Sequence, residues 1–192
     1  MNNAAKKTGA PTRRKRNALL FICIALVWIA IDQACKAYFD SGIFSFGEHI
    51  GGPYLGLFQF TLVHNTGAAW GIFGSSTNAL AWFSVVVCVL IVLFAFFLEP
   101  DINLPCIVGL ALIFAGGIGN AIDRFSQSYV VDFIDFSFMD FPVFNIADIG
   151  VTCGAVIFIL FYLLALRAEE KNEKEEQKAD EHGAGRKEGP SA

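Results

Sequence analysis

Hydrophobic residues in this chain come in long unbroken runs rather than in the interrupted stripes of surface helices. Four such runs cover residues 17–39, 79–98, 104–124 and 147–167. Ala79–Leu98 carries no charge over its 20 positions, enough helix to cross about 30 Å of hydrocarbon. The third run is rich in glycine, at Gly109, Gly116, Gly117 and Gly119, and small residues let helices approach closely inside a bilayer. The segments 40–78 and 125–146 break the pattern. Within the first of them, Phe58, Phe60 and Leu62 alternate with Gln59, Thr61 and Val63, the two-residue period of a half-buried strand. Seven aromatic residues between 40 and 78 suit the interfacial belt of a membrane protein. The pattern predicts an all-α membrane protein, a bundle of four transmembrane helices, with a short strand in its first long loop.

Composition agrees. The chain is 55% hydrophobic and 17% charged, against about 25% charged for a soluble domain. Six of its 14 basic residues lie between Lys6 and Arg16, and six more from Arg167 onward. The 130 residues between Lys36 and Arg167 hold one basic residue, Arg124, against nine acids. Residues 1–16 are expected to be disordered and 168–192 to form a charged, solvated, partly helical tail. The basic cluster Arg13–Arg16 predicts cytoplasmic termini, with the loops 40–78 and 125–146 outside. The first run resembles a signal peptide, but it leads into Asp32 and Lys36 rather than into a small-residue cleavage site. Nor is Cys35 a lipid-attachment cysteine, because Asp32 stands where such boxes need an apolar residue. The five cysteines and three histidines share no metal-binding spacing, so no metal is expected.

The stretch Val130–Asp148 places four aspartates beside the membrane with no basic residue among them. Asp32 and Lys36 are four apart, so on a helix they share a face and neutralise each other. Asn120, Asp123 and Arg124 stand at i, i+3 and i+4 at the end of the third run, and Asn145 and Asp148 repeat the i, i+3 spacing at the start of the fourth. Asp132 lies on the loop joining those ends, and Asn65 and Gly67 sit at a turn in the first loop. A carboxylate half-buried at this depth resists ionisation, and a second one nearby raises one of the two pKa values further. Two such groups share a proton, one acting as base toward water and the other as acid toward a carbonyl. On these grounds either Asp123 or Asp132 could partner Asp148, and Asp148 could equally be a helix cap. Arg124 could hold a substrate carbonyl or bind Asp123. Asp135 and Asp140 read as exposed loop carboxylates. No GxSxG supports a serine nucleophile, and the DTG, DSG and GxGD triplets of other aspartic enzymes are missing.

The segments DQACK (32–36), NTGAAWG (65–71), GGIGNAIDR (116–124), VVDF (130–133) and FNIAD (144–148) together resemble the lipoprotein signal peptidases, signal peptidase II, over residues 17–167. The resemblance implies that the catalytic pair is Asp132 and Asp148. It makes Asn65, Gly67, Asn120, Asp123, Arg124 and Asn145 the residues that position substrate and dyad, and Asp32 and Lys36 a structural ion pair. A small extracytoplasmic sheet lying on the membrane is part of the implied fold. So is an active site at the outer leaflet of the bacterial inner membrane. The implied reaction is hydrolysis on the N-terminal side of a diacylglyceryl-modified cysteine in a prolipoprotein, by a monomer that needs membrane lipid but no cofactor and no nucleic acid. Trp70 departs from the usual phenylalanine, and the tail beyond Arg167 is long. The rivals are a proton-coupled transporter and a membrane scaffold. A transporter would show internal repeats and midplane carboxylates, and a scaffold has no need of unpaired facing carboxylates.

Overall fold

A computed structural model describes residues 10–67, 77–99 and 102–185. Its helices are α1 (Ala10–Phe39), α2 (Thr77–Leu93, closing in a π-helical turn over Phe94–Leu98), α3 (Leu104–Gln127) and α4 (Ile146–Gly185). Two strands, β1 (Phe58–Asn65) and β2 (Val130–Phe136), pair antiparallel as the one sheet among the described residues. Four helical stretches are long and apolar enough to cross a membrane: Arg13–Phe39, Thr77–Leu98, Leu104–Gln127 and Ile146–Glu175. The all-α bundle with a small sheet is therefore the observed architecture.

α3 is the hub, packing against α1, α2 and α4. Glycine is what permits this. A Cβ on Gly109 would lie 2.7 Å from the Gly154 carbonyl oxygen, and one on Gly154 2.6 Å from that of Gly109, so α3 and α4 touch backbone to backbone. The other helix faces stay apolar and exposed, as Leu26 and Val27 of α1, Trp82 and Phe83 of α2, and Ile159 and Leu160 of α4 show. In water such faces would be a liability; in lipid they are the solvated surface. Asn103 caps α3, its side chain accepting from the Cys106 N–H, and Pro105 stands in the first turn.

At one end of the bundle α1 is tied to the segment before α3, where the Asn17 side chain donates to the Ile102 carbonyl at 3.1 Å. At the other end the sheet lies over the helices. Phe39 of α1 stacks on Phe133 of β2 with ring centroids 4.2 Å apart, and Leu62 and Val131 complete a buried apolar cluster there. The register runs from Phe58↔Phe136 to Asn65↔Val130 and is interrupted between Phe60 and Val63.

One expected boundary differs, and the partly helical tail continues a span. Of residues 1–16, residues 1–9 lie outside the described ones, and helix already begins at Ala10 rather than at 17. Arginine and lysine are good helix formers, and Arg14 lies over the Phe97 ring at 5.8 Å. That span's helix, α4, does not end at 167 but runs on to Gly185, and along it Lys171 and Glu175 make an i,i+4 pair at 3.7 Å. The Glu99–Pro105 turn is described except for residues 100 and 101.

Candidate active site

The polar residues singled out in the sequence meet beneath the sheet, but they fall into two groups. The first surrounds Lys36, which is 3% exposed. Its ammonium lies 2.9 Å from Asp32 Oδ2, 2.9 Å from Asp123 Oδ2 and 2.9 Å from Asn120 Oδ1. Both carboxylates have further donors. Asp32 Oδ1 accepts the Ala147 N–H at 2.8 Å, which ties the start of α4 to α1. Gln33 Nε2 reaches Asp32 Oδ2 at 3.2 Å, the Gly119 carbonyl at 3.2 Å and Asp123 Oδ1 at 3.0 Å. Gly119 is glycine because a Cβ there would meet Asp32 Oδ2 at 2.6 Å. The α1 ion pair expected from i,i+4 spacing is thus present, enlarged to three charges.

The second group is Asp132 and Asp148. Asp132 stands on β2, 2% exposed. Its Oδ2 accepts from Asn65 Nδ2 at 2.9 Å and its Oδ1 from Asn145 Nδ2 at 2.7 Å. Asp148 lies in the first turn of α4, its Oδ1 accepting from Asn120 Nδ2 at 2.8 Å and its Oδ2 from the Asn145 N–H at 3.1 Å. The Asn145 side-chain oxygen in turn accepts the Asp148 N–H at 3.0 Å, a reciprocal cap of the helix start. Capping and facing the cavity are not alternatives for Asp148, since it does both. Asn145 is fully buried and touches both carboxylates.

Asn120 joins the two groups, and its amide can be oriented from chemistry. An ammonium only donates, so the atom facing Lys36 is the oxygen, which leaves the NH₂ for Asp148. Each member of the second pair is therefore held by neutral amide donors, while the nearby cation is already engaged by Asp32 and Asp123. Burial, first, and the charge of Asp148, second, push the Asp132 carboxyl up to about 7, against the lowering pull of the Asn65 and Asn145 hydrogen bonds and of Lys36.

Asp132 and Asp148 share a cavity of about 420 Å³. Asn65, Gly67, Asn120 and Arg124 line its polar side; Phe136, Phe141, Phe144 and Ile149 are on the apolar side, with Thr152 and Cys153 further along α4. Asp123 is not among the lining residues. Positions 123 and 124 diverge by 100° on a helix, so Asn120 faces both groups while Asp123 turns to Lys36 and Arg124 to the cavity. Among the described residues Arg124 makes no ion pair with Asp123. Its Nη2 donates to the Gly67 carbonyl at 3.4 Å, and its buried Nε has no partner among them. The structure thus places Asp132, and not Asp123, beside Asp148. Ala68–Gly71 of the NTGAAWG segment, including Trp70, lie outside the described residues. Asp135, expected to be an exposed loop carboxylate, instead accepts from Gln59 at 2.8 Å and Thr61 at 3.0 Å across the sheet. Gln33 went unrecognised; its one signal was its place beside Asp32 on the same helix.

Four apolar helices packed about a glycine-bearing hub, with two carboxylates on one cavity under a small sheet, define a multi-pass membrane protein. The model of the family described as Signal peptidase (SPase) II matches residues 24–164. The Lipoprotein signal peptidase of Nostoc punctiforme is 39% identical over 148 residues, which cover 77% of this chain and 90% of that protein. That of Streptococcus pyogenes is 36% identical over 145 residues, covering 73% and 91%. Two solved structures of a bacterial membrane enzyme, determined by the in meso method, superpose with TM-scores of 0.68 and 0.66 at 33% identity, covering 75% of this chain and 87% and 92% of theirs. The chain belongs to the signal peptidase II family.

Proposed function

We propose that this protein is an aspartic endopeptidase of the bacterial inner membrane that removes signal peptides from prolipoproteins, with Asp132 and Asp148 activating water between them. Family membership supplies the peptidase class and the prolipoprotein substrate. The observation that carries the aspartic mechanism is that two carboxylates share one cavity and are held by neutral amides, with Lys36 paired to other acids and, among the described residues, no ion pair from Arg124 to either.

In the reaction one carboxyl of the pair is protonated and the other ionised. The ionised one accepts a proton from water as the water oxygen bonds to the scissile carbonyl carbon. The protonated one gives its hydrogen to the carbonyl oxygen, and a neutral tetrahedral diol results. Collapse of that diol returns a proton through the dyad to the leaving nitrogen as the C–N bond breaks. The proton belongs to the pair, not to either residue. Arg124, which lines the cavity, holds the substrate carbonyl. The scissile bond is the one on the N-terminal side of a diacylglyceryl cysteine, the acyl chains lying in the bilayer beside the apolar half of the cavity. The basic residues Arg13–Arg16 put both termini in the cytoplasm, hence the sheet and the dyad at the outer leaflet. The enzyme acts as a monomer and the dyad activates water without a metal or organic cofactor.

The test is purified protein incubated with a prolipoprotein, with and without the diacylglyceryl group, followed by gel shift and mass spectrometry of the new N-terminus. Cleavage only of the modified precursor, leaving the lipidated cysteine first, is expected, and Asp132→Asn or Asp148→Asn abolishes it. Activity surviving either substitution would show that the dyad is wrongly assigned.

A further inference from the structure

His64 precedes Asn65 on β1, so the two side chains point to opposite faces of the strand. Asn65 turns to Asp132. His64 turns away, and its Nε2 lies 2.6 Å from Asp40 Oδ1, a short hydrogen bond to a carboxylate oxygen. The Tyr129 hydroxyl donates to the other oxygen of Asp40 at 3.1 Å. The imidazole also stacks on the Tyr129 ring with centroids 3.9 Å apart and planes 21° apart, and Phe46 meets it edge-on at 5.3 Å. Asp40 directly follows α1, and its N–H bonds the Lys36 carbonyl at 2.9 Å. One carboxylate therefore fastens together the end of α1, the end of β1 and the residue leading into β2.

This fastening bears on the site because it acts beside Asn65, at the last residues of β1. Its pairing with β2 is interrupted between Phe60 and Val63, so only Val63, His64 and Asn65 keep register beside Asp132, Val131 and Val130. Such an interruption bends a strand and re-aims the side chains beyond it, and Asn65 is the last residue of β1. We propose that His64 is a positioning residue, which through its bond to Asp40 holds Asn65 on the Asp132 carboxylate. The inference rests on the Asp132–Asp148 reading of the site. The groups that the structure sets against the ring are Asp40 from the end of α1, Tyr129 from the α3–β2 connection, and the uncharged Phe46 from the first loop. Tyr129 remains a donor to Asp40, since burial, and then the bond to that carboxylate, raise its phenol.

Three variants separate positioning from packing. His64→Phe keeps the aromatic stack and removes the hydrogen bond; His64→Gln keeps a donor; Asp40→Asn leaves the ring in place and weakens its partner. With the diacylglyceryl substrate, His64→Phe is expected to lower kcat about five- to tenfold with KM changed less than about twofold. Its alkaline pH limb should move upward by about half a unit, because Asp132 loses a donor to its ionised form. His64→Gln should stay within about twofold of the parent, and adding Asp40→Asn to His64→Phe should change nothing further. A parental kcat and pH profile in His64→Phe would overturn the proposal. Equal losses in the Phe and Gln variants with an unmoved limb would do the same. Should His64→Phe fail to fold by thermal melting, Asp40→Asn decides: a twofold or greater drop in kcat with a raised limb supports positioning, and a parental profile refutes it. Asp132→Asn and Asp148→Asn run alongside, since activity in either sinks the dyad reading, whereas inactivity there with a parental His64→Phe sinks only this one.

Discussion

Two carboxylate pairs lie next to each other in this molecule and are treated in opposite ways. Asp32 and Asp123 close on the ammonium of Lys36 from both sides. Asp132 and Asp148 receive only amide donors, although Asn120 links them to the same lysine. The first pair is tied to a buried cation that joins α1 to α3. Lacking that contact, the second pair has one member with a proton affinity near neutrality, which general acid and base work needs. The difference lies in what each pair contacts, an ammonium in one case and amide donors in the other.

The contrast breaks most sharply at the amide-held pair. Asp132→Asn or Asp148→Asn should lower the rate by about a thousandfold or more while the protein stays inserted and folded, read by gel shift and membrane fractionation. Next in size is Lys36→Met, which leaves Asp32 and Asp123 buried without a cation and should destabilise the fold by about 3–5 kcal/mol, seen as a large fall in melting temperature in detergent. Asp123→Asn keeps one carboxylate on the lysine, so about a tenfold loss of activity and a modest fall in melting temperature are expected rather than inactivity. If Asp123→Asn proved as inactive as the dyad variants, the division between the two pairs would collapse.

The smallest effect is on pH. Asp132 titrates at about 7 in the folded protein against 3.8 ordinarily. Activity should fall as pH rises through about 7, where the shared proton is lost. Stability follows the same sign. With the folded pKa raised, the contribution of Asp132 is fully present below pH 3.8 and is lost as pH rises to about 7, because the unfolded chain ionises first. Melting temperature should therefore drop between those values, and Asp132→Asn should flatten the drop.

Much of this was legible beforehand, and the misses have physical causes. Helical spacing put Asn120 beside Arg124, and Asp32 above Lys36, because i,i+4 neighbours share a face by geometry alone. The same spacing could not send Asp123 one way and Arg124 the other. That depends on which helix lies on which side of α3. Strand alternation at 58–63 announced β1 but not its register, which brings Asn65 across to Asp132, 67 residues away. The early start of α1 was missed because the polar, basic N-terminus was read as disorder, although charged residues form helices well.

Local order along the chain was enough to determine four membrane-length helices, their order, and the polar residues at their ends, since apolar length and helical period act over neighbours. Only the tertiary structure decided which acid meets which. Lys36 has one charge to give, and the packing of α1 and α3 directs it to Asp32 and Asp123, leaving Asp132 and Asp148 to face a shared cavity with amides for company.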